Sequence, residues 1–348
     1  MRDLDNQKRM DHIDSEGMLE ATYRLVNVFA NPSRFRQRLV SNGSWKDLVF
    51  VGMGGSASAG DVLLDWLSER ITVPSHMVRD FSIPRFVDAK SLVICLSYSG
   101  ETKETLRAFQ MARRRKCGIV GVGSGGTLER ACKKFGIPFF HVEPGLVPRA
   151  ALGQMVEAGA RALQHARLVG SVSEELRVAG RELEGLRDKI EPSVPMSRNG
   201  AKLLAFRLKD RVPIIYVLDR MSSVARRFKN QLAENSKVVA KYESLPEACH
   251  NEVEFWTGIG KTFVPVLIRD WIENSEERLL IESFRSTITR KEKKYVEVRM
   301  RAKSSLGRVL APILFLDYVS IYLAILKGVN PGETPRIKEY KEKFGAKI

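Results

Sequence analysis

Short strand-like runs, unbroken and apolar at Leu48–Val51 and Leu92–Leu96, alternate with helix-like stretches from residue 48 to residue 142, and this alternation leaves few folds open. The runs are Leu48–Gly52, Ser75–Val78, Leu92–Leu96, Gly118–Val122 and Ile137–Val142. Between them the spacing predicts helices to about Ser68, over Glu101–Lys116 and over Thr127–Phe135. Continuous apolar strands between helices indicate a parallel sheet covered on both faces. In such a sheet ligands bind at the carboxyl ends of the strands.

Two of those strand ends carry glycine and serine. Gly52-Met53-Gly54-Gly55-Ser56-Ala57-Ser58-Ala59-Gly60-Asp61 follows the first run. Ser97-Tyr98-Ser99-Gly100-Glu101-Thr102 follows the third. A strand that ends in small residues at a helix N-terminus aims backbone N–H groups and the positive dipole end at one spot, where a phosphate fits. Glycine lets the backbone approach closely and adopt positive φ. Ser and Thr hydroxyls add donors. A lone turn of this kind also simply starts a helix, whereas two at matching positions would hold one phosphate from two sides.

A second pass of the same kind follows. Ala150–Arg167 and Glu174–Lys189 read as helices, and the Pro- and Ser-containing stretch from Glu191 to Gly200 reads as a connector. Val212–Leu218, Val238–Glu243, Phe263–Ile268 and Tyr295–Arg299 read as strands. Helices are expected over Ser222–Asn235, near Glu276–Ile288 and over Ser304–Leu326, with a short basic helix after Pro335. The expected fold is α/β, with two tandem doubly wound, mainly parallel sheets flanked by helices. The expected organisation is an N-terminal helical segment (1–45), a first domain with the phosphate turns (46–190), a second domain (200–328) and a tail helix (329–348).

The 348 residues suit two domains, and 44% hydrophobic with 28% charged residues is an ordinary core-forming composition. The longest apolar run, Val309 to Leu326, is broken by Pro312, Asp317 and Ser320, so no membrane partner is expected. The polar start Met1-Arg2-Asp3-Leu4-Asp5 does not read as a signal peptide, and a cytoplasmic location is expected. Cys95, Cys117, Cys132 and Cys249 have no CxxC spacing, so no metal is expected and four free thiols are. The net charge of +16 raises nucleic acid as a partner, but the basic runs are dispersed and none is interleaved with aromatics. No nucleic-acid partner is expected.

Three further segments carry chemistry-bearing residues. Pro148-Arg149-Ala150-Ala151 starts a helix just past a strand end, which is also an ordinary surface position for Arg149. Glu234-Asn235-Ser236-Lys237 ends a helix, where the dipole disfavours Glu234. Glu247-Ala248-Cys249-His250-Asn251-Glu252 holds the one histidine flanked by Asn and carboxylates. His12, His76, His141 and His165 read as structural. A Glu and a His across a sugar are suited to moving protons between carbon and oxygen.

The two turns resemble the sugar isomerase (SIS) domain, which binds phosphosugars. Together with Pro148-Arg149-Ala150-Ala151, Glu234-Asn235-Ser236-Lys237, His250-Asn251 and Thr334-Pro335-Arg336-Ile337, in that order, they resemble the archaeal bifunctional phosphoglucose/phosphomannose isomerases of the phosphoglucose isomerase superfamily. The resemblance spans roughly residues 45 to 345. It implies aldose–ketose isomerisation of glucose 6-phosphate and mannose 6-phosphate with fructose 6-phosphate, through a cis-enediol and without a cofactor. It implies phosphate binding by Gly54, Gly55, Ser56, Ser97, Ser99 and Thr102. Glu234 would be the base, Arg149 would stabilise the intermediate, and His250 and Lys341 would assist ring opening. Thr334 would leave room for either C2 epimer. A homodimer is implied, with His250 supplied by the partner subunit. Phe255 and Trp256 beside His250 would suit such an interface, or equally a monomer core.

Departures from the family pattern are the Gly-Gly-Ser-Ala wording of the first turn, where glycine often follows serine, and Cys249 before His250. Residues 1–45 and 170–195 match nothing in it. Competing readings are a phosphosugar-sensing regulator, for which residues 1–45 are short for a DNA-binding domain, and an isomerase of another sugar phosphate. Glucosamine-6-phosphate synthesis would need an N-terminal glutaminase, which the sequence does not show.

Overall fold

The computed structural model of the chain describes residues 2–30, 44–258, 260, 262–289 and 295–345. The basic run Arg290 to Lys294 and part of the N-terminal segment, residues 31–43, lie outside the described residues. The chain forms two compact units: Arg24–Leu183 with Ala302–Leu310, and Met1–Tyr23 with Glu184–Arg301 and Ala311–Ile348.

The first of these units is built on five parallel strands, β1 (Asp47–Val51), β2 (Ser75–Val78), β3 (Ser91–Leu96), β4 (Gly118–Gly123) and β5 (Phe139–His141), in the order β2-β1-β3-β4-β5. Its helices are α3 (Gly54–Leu67), α4 (Lys103–Arg114), α5 (Gly126–Lys134) and α6 (Leu152–His165). Strand side chains alternate between faces, and in the central strands β1, β3 and β4 both faces are dry. Val49, Val51, Val93, Cys95 and Ile119 pack with Ala108, Phe109 and Ala112 of α4 and Leu128 and Cys132 of α5. The intervening Leu48, Phe50, Leu92, Ile94 and Leu96 are fully buried on the α3 and α6 side. That double burial is why these strands read as unbroken apolar runs.

Helix α7 (Ser173–Ile190) has a role that its polar sequence does not advertise. Its Glu182 accepts the backbone N–H groups of Lys303 (2.6 Å) and Ser304 (3.3 Å), and Glu175 accepts that of Leu306 (2.9 Å). Two carboxylates thus satisfy the exposed donors at the start of α12 (Ser305–Leu326), where the dipole favours negative charge.

The other unit has four parallel strands, β6 (Val212–Val217), β7 (Lys241–Ser244), β8 (Phe263–Arg269) and β9 (Val296–Arg299), in the order β7-β6-β8-β9. Ile214, Tyr216 and Leu267 pack with Leu245 and Ala248 of α10 (Leu245–Ala248), with Trp256, and with Ile281, Phe284 and Ile288 of α11 (Ser275–Ile288). α9 (Ser222–Gln231) lies against β6 and β7. The N-terminal α1 (Gln7–Ile13) and α2 (Met18–Ala30) meet at a turn where buried Asp14 accepts the N–H groups of Met18 and Leu19, both at 2.8 Å. α8 (Gly200–Leu208) and α13 (Pro335–Gly345) complete the helices.

Several expectations need correction. Helix α8 is absent from them, although Asn199 caps it by accepting the N–H groups of Ala201 and Lys202. The expected strand Val238–Glu243 starts too early: β7 begins at Lys241 because the helix before it runs on to Ser236. The interrupted run at Val309–Leu326 is part of a continuous helix of 22 residues, long and apolar enough to cross a membrane by length and composition. Its apolar window is wholly buried, and Asp317 within it is paired with buried Arg227 (2.6–3.1 Å). Pro312 lies in its interior without ending it.

Candidate active site

The strand order β2-β1-β3-β4-β5 reverses direction of growth between β1 and β3, which is where an open α/β sheet forms a crevice. Both glycine-serine turns sit there, at the carboxyl ends of adjacent strands in which Val51 and Cys95 are register partners. Glycine is required by close approach. A Cβ on Gly52 would lie 2.9 Å from the Leu96 carbonyl oxygen, and one on Gly55 would lie 2.6 Å from the Pro148 carbonyl oxygen. Gly54 opens α3 at φ +53°, and Gly100 takes φ +69°.

One hydrogen bond joins the two turns and two more hold the second in shape. The Tyr98 N–H donates to Ser56 Oγ at 3.0 Å, and Ser97 Oγ donates to Thr102 Oγ1 at 3.2 Å. The Glu101 N–H donates to Ser99 Oγ at 3.3 Å. Ser56 and Ser97 are buried, Thr102 is half-buried, and Ser99, Gly54 and Glu101 are exposed. Thr102 is the N-cap of α4 without a side-chain cap bond. The Glu101 carboxylate accepts both the N–H and the hydroxyl of Thr127, each at 2.8 Å, tying the second turn to the start of α5. Those bonds, the Thr127 hydroxyl first, hold the Glu101 carboxyl below the usual carboxylate range.

Arg149 is buried, at 6% exposure, in the turn before α6. Its Cα lies 3.0 Å from the position of a Gly55 Cβ, so the Arg149 backbone sits on the first turn. The ordinary reading as a surface helix start does not hold. Tyr98 fixes this placement. Its hydroxyl donates to Glu143 O (2.9 Å) and accepts from the Leu146 N–H (3.0 Å). Burial pushes its phenol up, against the Leu146 N–H, so it stays a donor. One residue therefore links Ser56, the second turn and the loop that delivers Arg149. Sequence reasoning misses Tyr98, because a tyrosine inside a serine-rich turn has no distinguishing pattern.

In the other unit the helix from Ser222 changes to π-helical winding over Leu232–Ser236, which carries Glu234. π-segments in helices recur at functional sites. The segment is held from beneath: Asn235 Nδ2 donates to Ser320 Oγ (2.9 Å) and Ser236 Oγ to Ser320 O (2.6 Å). Lys237 ends it in the left-handed conformation, φ 56°, which costs a non-glycine residue ~1–2 kcal/mol. Thr334 is half-buried and follows a turn at Asn330–Glu333. Lys341 is exposed on α13.

His250 is exposed in the turn after α10, its N–H on Glu247 O at 3.0 Å. Neighbouring Glu252 is buried and anchors that turn by accepting the Tyr216 hydroxyl at 3.0 Å and pairing with Lys241. Trp256 belongs to the core, at 3% exposure, with Nε1 donating to the Tyr216 hydroxyl at 2.8 Å. Of its two ordinary homes, Trp256 therefore takes the monomer core, which removes it as a support for an interface.

The corresponding crevice of the second sheet is filled. Arg220, just past β6, donates to both oxygens of Glu277 (3.1 and 2.8 Å) and pairs with Asp270, just past β8. Burial pushes the Cys95 thiol up, as suits a core residue in β3.

Two family models match the chain: the SIS domain over residues 44–132 and the bacterial phospho-glucose isomerase C-terminal SIS domain over residues 197–344. A bifunctional phosphoglucose/phosphomannose isomerase of Caldicellulosiruptor bescii is 31% identical over 334 residues, covering 94% of this chain and 98% of that protein. The chain belongs to the bifunctional phosphoglucose/phosphomannose isomerase family. Another relative is a D-glucosamine-6-phosphate 4-epimerase of Sulfolobus acidocaldarius, 31% identical over 253 residues, 70% of this chain and 77% of that one. The fold is also that of a glucose-6-phosphate isomerase like protein from Thermus thermophilus, with a TM-score of 0.62, 20% identity, and 96% and 99% of the two chains covered.

Proposed function

We propose that the chain interconverts glucose 6-phosphate and mannose 6-phosphate with fructose 6-phosphate through a cis-enediol intermediate. The observation that carries this reading is near-full-length relatedness to a bifunctional phosphoglucose/phosphomannose isomerase. The two joined turns at the β1/β3 crevice, with Arg149 seated on the first, support it physically.

In this reading Gly54, Gly55, Ser56, Ser97, Ser99 and Thr102 bind the phosphate through N–H groups and hydroxyls. The phosphate is remote from the reacting carbons, and its binding energy holds C1 and C2 in place for reaction. The Glu234 carboxylate takes the C2 proton of the open-chain aldose while the carbonyl oxygen at C1 gains a proton, giving the enediol. Return of the carbon-bound proton to C1, with loss of the C2 hydroxyl proton, gives the ketose. Arg149, with planar paired donors, offsets negative charge on the enediolate oxygens. His250 and Lys341 assist ring opening, and Thr334 lies at the C2 substituent. The chain works as a homodimer in which His250 serves the partner's site.

A coupled assay with glucose 6-phosphate, mannose 6-phosphate and fructose 6-phosphate tests the reaction. Turnover of both aldoses is expected. Glu234→Gln should keep the fold and lower kcat by several orders of magnitude, since an amide cannot act as the base. Near-wild-type turnover of that variant removes Glu234 from the role. The 4-epimerase relative makes glucosamine 6-phosphate the discriminating control: turnover of that sugar without isomerisation of fructose 6-phosphate would replace the present reading.

A further inference from the structure

Lys237 is the last residue of the motif Glu234-Asn235-Ser236-Lys237, and the proposed chemistry leaves it unused. Its ammonium group donates to four backbone carbonyl oxygens: Glu234 (2.8 Å), Asn235 (3.2 Å), Asn330 (3.0 Å) and Glu333 (2.8 Å). An ammonium has three protons, so this cage saturates it. The left-handed backbone at Lys237 turns the side chain back over its own preceding residues, a place where helices ordinarily end in glycine or asparagine. A lysine that merely capped the helix C-terminus would need only the Glu234 and Asn235 carbonyls. The other two belong to a turn far along the chain, directly before Thr334.

That turn is braced on its far side. Asn330 Nδ2 donates to Ser15 Oγ at 2.9 Å, and Asn330 Oδ1 accepts the Gly332 N–H at 2.9 Å. A Cβ on Gly332 would overlap the Glu16 side chain, so the turn lies flush on the loop between α1 and α2. The N-terminal segment thereby backs the turn that Lys237 grips.

We propose that Lys237 is a positioning residue that staples the Glu234 segment to the Asn330–Glu333 turn, so that Glu234 and Thr334 are set against the sugar as one rigid piece. The inference rests on the isomerase reading above. Lys237 touches no substrate in it. It sets both the geometry of proton transfer and the discrimination between C2 epimers.

The test uses the full-length protein and fructose 6-phosphate, with formation of glucose 6-phosphate and mannose 6-phosphate followed separately. Lys237→Met removes the staple while keeping the aliphatic stem. Its kcat should fall about ten- to a hundredfold, as small misplacements of reacting groups do, with KM within about twofold of wild type. The ratio of the two products should shift. Backbone amides in 232–236 and 330–334 should exchange faster with solvent. Gly332→Ala, which pushes the same turn off Glu16, should give the same signature and stands in if Lys237→Met does not fold. Lys237→Arg should recover part of kcat, since a guanidinium can also reach carbonyl oxygens. Wild-type kcat in folded Lys237→Met overturns the proposal, as does wild-type kcat in Gly332→Ala where Lys237→Met does not fold. So does a fall in kcat with an unchanged product ratio, which would show that Lys237 serves Glu234 alone. Wild-type protein that isomerises nothing overturns the isomerase reading and this inference together, whereas an active wild type with fully active variants overturns only this inference.

Discussion

Ser97 and Thr102 share a hydrogen bond at 3.2 Å, so replacing either also alters the other. Ser97→Ala or Thr102→Ala should raise KM, each lost charged bond being worth roughly 1–3 kcal/mol, with kcat little changed. Initial-rate kinetics on fructose 6-phosphate check this, and an unchanged KM in both variants would remove these hydroxyls from phosphate binding. A different residue contributes to the response to mild acid. His165 is buried, stacks edge-on against Phe140 at 5.6 Å, and its Nε2 has no hydrogen-bond partner among the described residues. Burial holds its imidazole below the ordinary value. A depressed folded value means the unfolded chain takes up the proton first. The stability it contributes is therefore complete above about pH 6.5 and is lost as pH falls below that. His165→Leu should flatten the decline in melting temperature between neutral and mildly acidic pH. An unaltered decline would place the acid sensitivity elsewhere. Individual side chains are legible in the sequence where spacing to a strand end defines them, as with Ser56 and Ser97. Tyr98 and Lys237 are not, because each acts by reaching backbone groups distant in sequence, and no local pattern encodes that.

Elements are most legible where burial on both faces writes a continuous apolar run, as in β1, β3 and β4. Edge strands are harder. β7 has one exposed and three half-buried residues, and its polar sequence Lys-Tyr-Glu-Ser gives no strand period. The π winding at Leu232–Ser236 has no sequence signature at all. It coincides with bonds from Asn235 and Ser236 to Ser320 on α12, partners that lie far off in sequence. The loop from Glu143 to Arg149 is likewise shaped from outside, by one phenol. Tyr98→Phe deletes both hydroxyl bonds to Glu143 and Leu146 and leaves the backbone bond to Ser56 intact. Turnover should fall several-fold to tenfold through displacement of Arg149, with KM little changed. A rise in KM with undiminished kcat would instead assign Tyr98 to the phosphate turns alone.

At the level of the whole molecule, the proposed sharing of His250 between subunits gives a sharp mixing experiment. Glu234→Gln and His250→Ala chains are each expected to be inactive. If His250 serves the partner's site, a mixed dimer has one site with both lesions and one intact site, and activity returns on subunit exchange. If it serves its own chain's site, every mixed site carries one lesion and activity stays absent. Continued inactivity after demonstrated exchange would discard the shared site and leave the isomerase reading standing. The two sheets also differ in a way that bears on titration. Both have a crevice where strand order reverses, but the second is occupied by Arg220, Asp270 and Glu277 from the chain itself. Among the described residues the repeated architecture thus leaves one open crevice of the two, and binding of inorganic phosphate followed calorimetrically should saturate at one equivalent per chain, not two.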